Sequence, residues 1–237
     1  MTDRETTETP ASTGRLSRHL IVETALAQID RAGAQGLSMR TLAKALGVEA
    51  MALYRHVRGR EDLLEAVVDR LIGDLSSKLD QELSTHWQGF LQTLAHEIRQ
   101  IAIDHPKAFP LIATRHPSAP WLRPPLRSVE VVDTFLATLI RHGFSDEQAV
   151  DAYRAFSSFL LGQLLLESAV RGADTGPVEE PLDEGGATIP SDDGELSLDP
   201  ASEVVRLQPL LSEDRSDEEF EVSLEMHLDR LDRLVSQ

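Results

Sequence analysis

The chain has 237 residues, of which 41% are hydrophobic, and its 40 acidic against 23 basic residues give a formal net charge of −17. This length provides for one small and one larger domain. The absence of cysteine excludes disulfides, thiolate metal sites and cysteine nucleophiles.

The charge is divided unevenly along the chain. Between Arg15 and Arg60 eight basic residues stand against three acidic ones, a net charge of +5, whereas the residues after Arg60 carry −20. DNA is a polyanion, so a basic end joined to an acidic body predicts that the N-terminal part alone docks on phosphates. The acidity of the body by itself indicates only solubility.

The N-terminal residues 1–14 are polar and acidic and lack apolar periodicity. They predict a disordered arm and not a secretory signal. The most apolar run, Phe156–Leu166, is much shorter than the roughly 20 residues that span a bilayer. We expect a cytoplasmic protein.

Helical periodicity predicts three short helices in the basic part, at Ser17 to Gly33, Met39 to Leu46 and Glu49 to Val57. Ser38 is placed to cap the second helix and Gly47 to end it. A connecting helix is predicted from Glu61 to Leu79, and at 1.5 Å per residue it would extend roughly 28 Å.

The body continues with predicted helices at Trp87–Ile103, Leu126–Arg141 and Ser145 to about Val170, followed by an amphipathic segment at about 217 to 235. Six prolines between positions 106 and 125 limit that stretch to short turns of helix. The Gly, Pro and acid content of residues 172–202 predicts a flexible loop. The expected fold is all-α, with a DNA-binding domain at 15–60 and a ligand-binding and dimerisation domain at 61–237.

The stretch from Gly36 to Leu64 has the pattern of a helix-turn-helix. Leu42, Leu46, Leu53 and Val57 can pack together and leave the outer face of the second helix free for a major groove. The alternative is an ordinary helical hairpin that binds nothing, and the surrounding basic residues count against it.

These residues resemble the tetracycline-repressor (TetR) family. The shared pattern consists of Gly36, Leu37, Arg40, Leu42, Ala43, Leu46, Gly47, Val48, Leu53, Tyr54, His56, Val57, Arg60, Leu63 and Leu64. The resemblance implies an all-helical dimeric repressor that reads operator DNA. The candidate DNA-binding residues are Arg40, Ala50, Met51, Ala52, Tyr54, Arg55, His56 and Arg60.

The roles of these residues follow their positions. Met51 and Ala52 are candidates for base edges, including thymine methyl groups, and Arg60 is a candidate for a phosphate. Tyr54 and His56 have an equal claim as packing residues. Arg55 has no packing role to fill and is the strongest DNA candidate.

The body resembles the drug-binding domain of the tetracycline-responsive members of that family, at Trp87–Leu91, Thr114–Arg115, His142–Ser145 and Phe220–Leu228. By that resemblance, Leu111 stands where those members have a metal-ligating histidine, and Leu94 and Ile98 stand where they grip the drug. We therefore expect no metal, no cofactor and a largely apolar effector. The candidate ligand-binding residues are Leu94, Ile98, Leu111, Arg115, Phe156, Phe159 and Gln163, each of which is equally explained as core.

No catalytic pattern stands out. His96–Glu97 begins like a zinc-protease helix, but Gln100 occupies the place of the second histidine. We expect no enzyme, while an all-helical binding protein or enzyme without a DNA role stays the alternative. A twofold dimer is expected through the helices at 146–170 and 217–235, because their apolar faces exceed what one small core can bury.

Overall fold

The computed structural model describes residues 16–73, 75, 86–114, 119–174, 203, 206, 207, 210 and 213–235. Eight α-helices lie in these ranges: α1 Arg18–Ala32, α2 Met39–Leu46, α3 Ala50–Leu53, α4 Arg60–Ile72, α5 Trp87–Asp104, α6 Val129–Arg141, α7 Asp146–Val170 and α8 Ser216–Val235. Single 3-10 turns lie at Ala34–Gly36 and Phe109–Leu111, and the described residues form no strand. The predicted all-α fold class is confirmed.

Serine side chains begin several of these helices. The Ser38 hydroxyl accepts the N–H of Thr41 at 3.1 Å, and the Thr41 hydroxyl in turn accepts the N–H of Ser38. Ser145 and Gln148 form the same reciprocal pair at the start of α7. Each pair satisfies two backbone donors that the first helical turn leaves without a partner. The predicted Ser38 cap is confirmed, and α7 begins directly after Ser145, where the sequence predicts its start.

Some helix bounds differ from those that the sequence predicts. The third helix ends at Leu53 and continues as a turn to His56. The helix predicted from Leu126 begins at Val129, after Ser128, whose hydroxyl accepts the N–H of Val131. The arm at 1–14, the far end of the connecting helix and most of the loop at 172–202 lie outside the described residues.

Helices α1 to α4 pack around one apolar core, which we call the head. Ile21 and Ile29 of α1, Leu42 of α2, Leu53 of α3 and Leu63 of α4 are fully buried in it. The spacing of these apolar residues along each short helix turns one face of the helix inward and leaves the opposite face at the surface. The core therefore fixes which sides of α2 and α3 remain outside.

Helices α5 to α8 form the second unit, which we call the body. The Phe135 ring of α6 lies between those of Phe90, Tyr153 and Phe156, with ring centroids 5.7 to 6.3 Å apart. Buried Arg99 pairs with Glu167 of α7 and Asp217 of α8. The aromatic cluster and this charged network hold α5, α7 and α8 together. No described helix is long and apolar enough to cross a membrane.

Polar contacts join the head to the body at the end of α1. His105, which follows α5, lies 2.9 Å from Asp30 through its Nδ1 atom. Lys107 donates to the carbonyl of Arg31 at 2.8 Å. The C-terminal end of α1 is thus attached to the loop that leaves α5.

Asp62, in the first turn of α4, links this helix to two other parts of the head. Its two carboxylate oxygens accept the two terminal nitrogens of Arg18, each at 3.1 Å, and one of them also accepts the N–H of Arg58 at 2.8 Å. Arg18 further donates to the carbonyl of His56 at 3.0 Å. One ion pair therefore ties the start of α1 to the end of the α3 turn and to α4.

We expect Asp62→Asn to lower the free energy of unfolding at pH 7 by about 1 kcal/mol, because a partly exposed ion pair is lost. Hydrogen bonds from Arg18 and from the Arg58 N–H hold the pKa of Asp62 below its ordinary value. The charge of Asp62 therefore stabilises the fold above the unfolded pKa of about 3.9, and this effect disappears as pH falls through the folded pKa.

Urea unfolding of both proteins from pH 7 down to about pH 3 measures this effect, and the difference should shrink on the acid side. Asp133→Asn, at an exposed site on α6, is the matched control and should change little at any pH. A difference for Asp62→Asn that stays constant across the range would contradict the assignment.

Candidate DNA-binding surface and ligand cavity

The turn between α2 and α3 sets the angle of the two helices. Gly47 adopts a left-handed conformation with φ 66° and ψ 29°, which a side chain would disfavour. The N–H of Val48 then bonds to the carbonyl of Ala43 at 3.0 Å. Helix α3 therefore starts immediately after α2 and crosses it as the second helix of a helix-turn-helix does.

The outer face of α3 is apolar at its centre. Met51 is 75% exposed and Tyr54 is 48% exposed, whereas Leu53 between them is fully buried. Ala50 and Ala52 beside Met51 are partly exposed. This face offers methyl and methylene groups where a major groove would present thymine methyls.

Two arginines flank that face with their charge uncommitted. Arg40 in the first turn of α2 and Arg55 after α3 are both exposed, and neither side chain makes an ion pair or hydrogen bond within the described part of the chain. His56 is half-buried, and its carbonyl holds Arg18. Arg40 and Arg55 therefore present unneutralised positive charge on either side of this face, while the His56 carbonyl contributes to the head itself.

A phosphate contact requires an exposed side chain, but the Arg60 side chain is largely buried. Its side chain is only 12% exposed, and its guanidinium donates to the carbonyls of Ala34 at 3.0 Å and Leu37 at 3.3 Å. These carbonyls belong to the turn that precedes α2. We therefore assign Arg60 to holding that turn against α4, since those two donors are not available to DNA.

The body encloses one apolar cavity between α5, α6 and α7. Its volume is about 20 Å³, enough for roughly one water molecule. Its lining comprises Leu94, Ile98, Leu126, Val131, Val132, Phe135, Tyr153, Phe156, Ser157, Leu160 and Leu161. A larger ligand must therefore push the walls apart.

Two polar groups lie in this lining, Tyr153 and Ser157. The Tyr153 hydroxyl donates to the carbonyl of Pro124 at 3.0 Å. Burial raises the pKa of Tyr153 to about 12, so the phenol stays neutral at physiological pH. The cavity is consequently uncharged and selects apolar ligands with at most a small polar group.

Three of the seven candidate ligand residues line the cavity, namely Leu94, Ile98 and Phe156. Phe159 lies on another side of α7, where its ring stacks on His227 of α8 with centroids 4.1 Å apart. Leu111 is buried in the 3-10 turn, and Gln163 is half-buried outside the cavity lining. Arg115 lies outside the described residues.

Most residues of the cavity wall were not predicted from the sequence. Tyr153, Ser157 and Leu160 lie three residues before, one after and four after Phe156, so helical spacing from Phe156 places all of them on one stripe of α7. That signal was present in the sequence. Phe135 and Leu126 come from another part of the chain, and no local pattern connects them to this stripe.

A metal site does not form among the described residues, where no three His, Asp or Glu side chains come together as ligands. Leu111, at the position compared with a metal-ligating histidine, is 1% exposed and surrounded by core.

Comparison with known proteins extends over both units. Residues 21–67 match the bacterial regulatory proteins of the tetR family, and residues 81–234 match the tetracyclin repressor-like C-terminal domain. A transcriptional regulator of helix-turn-helix type from Saccharopolyspora erythraea is 30% identical over 169 residues, which cover 71% of this chain and 68% of that protein. The Escherichia coli tetracycline repressor protein class A from transposon 1721 is 30% identical over 155 residues, 65% of this chain and 68% of that protein.

The fold has solved counterparts. The Streptomyces coelicolor TetR family protein ActR, in complex with actinorhodin, superposes with a TM-score of 0.63 at 22% identity, covering 94% of this chain and all of that one. The C-terminal match alone covers more than half of the chain. The chain therefore belongs to the TetR family of bacterial transcriptional regulators.

Proposed function

We propose that the chain is a cytoplasmic repressor that binds an operator as a homodimer and is released by a small, largely apolar effector held in the body. The observation that carries the DNA-binding part is the pair of exposed arginines, Arg40 and Arg55, on either side of the apolar face of α3. Family membership favours this regulatory role over a binding protein or enzyme without DNA.

The two kinds of contact have separate tasks. Arg40 and Arg55 neutralise phosphates and fix the position of the head on the duplex. Met51, with Ala50 and Ala52 beside it, meets base edges by apolar contact and favours thymine methyl groups. Duplexes that the purified chain selects from a random library provide the operator for the measurements below, and their enrichment in thymine tests this readout.

We expect Arg55→Ala to weaken operator binding at physiological salt and to lower the slope of log affinity against log salt by about 1, because one phosphate contact is lost. Titration of a fluorescent operator at several salt concentrations measures both. Arg154→Ala, an exposed arginine of the body, is the matched control and should change neither. Full affinity of Arg55→Ala at about 0.15 M salt would contradict the assignment.

Dimerisation is supported by the outer faces of α7 and α8. Leu166 and Val170 of α7 are 73% and 90% exposed, and Met226 and Val222 of α8 are 61% and 48% exposed. Exposed apolar side chains concentrated on two packed helices mark an interaction surface. Two copies of this pair, related by a twofold axis, form a four-helix bundle that covers them.

We expect the chain to sediment at twice its 26.2 kDa mass, and Leu166→Glu to sediment as a monomer, because a charge cannot be buried in an apolar interface without a partner. Analytical ultracentrifugation at micromolar concentration measures both masses. Val150→Glu, another exposed apolar site on α7, should leave the dimer intact. A wild-type mass of one chain would refute the dimer.

The effector is proposed to bind in the cavity of the body. Its wall is apolar apart from Tyr153 and Ser157, and three helices contribute to it. A ligand larger than the cavity therefore displaces α5, α6 and α7 relative to one another. ActR, which has the same fold, was solved with actinorhodin. Effector binding then weakens operator affinity by moving α4 and changing the separation of the two α3 helices, which must match grooves about 34 to 36 Å apart.

Benzene provides a probe of this proposal. We expect Leu160→Ala to enlarge the cavity at a cost of about 2 to 5 kcal/mol of stability, and benzene to raise the melting temperature of the variant by filling the space. Benzene should also lower the operator affinity of this variant, because its six ring carbons exceed the space left by the three lost carbon atoms and one water-sized void, so the ring still displaces the cavity wall.

The matched control is Leu231→Ala, a buried leucine of α8 outside the cavity lining. Benzene that binds there should stabilise the protein without changing operator affinity. If benzene raises the melting temperature of Leu160→Ala but leaves its operator affinity unchanged, the proposal that the cavity controls DNA binding is refuted.

A further inference from the structure

A buried arginine of the body reaches the first turn of α4. Arg127 is 6% exposed and immediately precedes Ser128, which caps α6. Its backbone N–H donates to the carbonyl of Ile112 at 3.0 Å. The backbone of Arg127 is therefore held from two sides, by its hydrogen bond to Ile112 and by its position next to the cap of α6.

The Arg127 guanidinium spans the joint between body and head. One terminal nitrogen donates to the Thr114 hydroxyl at 3.0 Å, and the other donates to Glu61 of α4 at 3.0 Å, with Glu65 one turn further at 4.0 Å. Its Nε atom is buried with no partner among the described residues. The Arg127 side chain therefore has direct hydrogen bonds on both sides of the joint, to Thr114 in the body and to Glu61 in α4.

The neighbouring residue forms part of the cavity wall. Leu126 is 6% exposed and lines the cavity together with Val131 and Val132 from the first turn of α6. Because the cavity holds only about 20 Å³, a ligand larger than a water must displace this wall. A displacement that shifts the Leu126 backbone also shifts Arg127, because the two residues are joined by one peptide bond.

The other end of the contact leads into the head. Glu61 follows Arg60, whose guanidinium holds the carbonyls of Ala34 and Leu37 ahead of α2. Two consecutive residues of α4 therefore grip the body and the DNA-binding turn. The contacts from cavity to recognition helices are continuous through Leu126, Arg127, Glu61 and Arg60.

We propose that Arg127 is the positioning residue that couples the cavity to the head, by carrying displacement of the Leu126 wall to the first turn of α4. This inference rests on the proposed effector function. It assigns the coupling to one side chain, so that loss of the side chain uncouples DNA binding from the cavity while leaving both the cavity and the DNA surface in place.

A double-mutant cycle tests the coupling without a known effector. Ser157→Leu fills the cavity from within and acts as a built-in ligand, and Val132→Leu is a smaller filler that replaces it if Ser157→Leu does not fold. Arg127→Met keeps the length and bulk of the side chain but removes its hydrogen bonds. Its partner Glu61 is 65% exposed, so this change leaves no buried acid unpaired.

We expect Ser157→Leu to weaken affinity for the selected operator about tenfold in the otherwise wild-type protein, within the usual range of coupling between sites. In the Arg127→Met background the same change should weaken affinity less than about twofold. Arg99→Met is the matched control, since Arg99 is a buried ion-paired arginine within the body, and the tenfold effect should persist there. Thermal melting establishes that every variant is folded.

The remaining outcomes are decisive. An equal loss of affinity in the Arg127→Met background would overturn the role of Arg127 and leave cavity control intact. If Ser157→Leu leaves operator affinity unchanged in every background, both the coupling and the proposed effector site are overturned. If Arg127→Met alone abolished DNA binding, Glu61→Gln would break the same pair from its exposed end and take its place in the cycle.

Discussion

The first turn of α4 is the point on which the arrangement of head and body depends. Arg60, Glu61 and Asp62 are consecutive, so their side chains leave the helix about 100° apart. Arg60 holds the turn before α2, Glu61 receives Arg127 from the body, and Asp62 receives Arg18 from α1. One helical turn thus fixes α4 against three neighbours, and a rotation of α4 cannot leave any of these contacts unchanged.

The contacts of this turn also show which basic residues of the head are held by other protein groups and which are available to DNA. Eight basic residues lie in the sequence from Arg15 to Arg60, but Arg18 and Arg60 are committed to a carboxylate and to carbonyls. Arg40 and Arg55 stay exposed. Net charge therefore overstates the number of phosphate contacts that the head can make, and the salt dependence of binding is set by the exposed residues.

Local rules predicted the helices well, because caps and apolar spacing act within one turn. Ser38 and Ser145 begin their helices where the sequence indicates, and Gly47 ends α2. The cavity was predicted only in part. Phe156 and Phe159 are both apolar residues of α7, and which of them faces the cavity depends on where α8 packs, since His227 of α8 covers Phe159. Arg60 was a phosphate candidate by the family resemblance, and no local pattern indicates its carbonyl partners, which lie 23 and 26 residues away.

The small size of the cavity determines what an effector must do. A ligand that fitted preformed space would bind without moving the walls and would have no difference in affinity between two states to exploit. Here a ligand larger than a water binds only by displacing residues such as Leu126, so part of its binding energy is spent on the displacement. Arg127 is the next residue after Leu126 and donates to Glu61 of α4, so a shift of this backbone changes the contact between body and head. An apolar cavity of low volume beside a polar contact between body and head is therefore a physical basis for coupling.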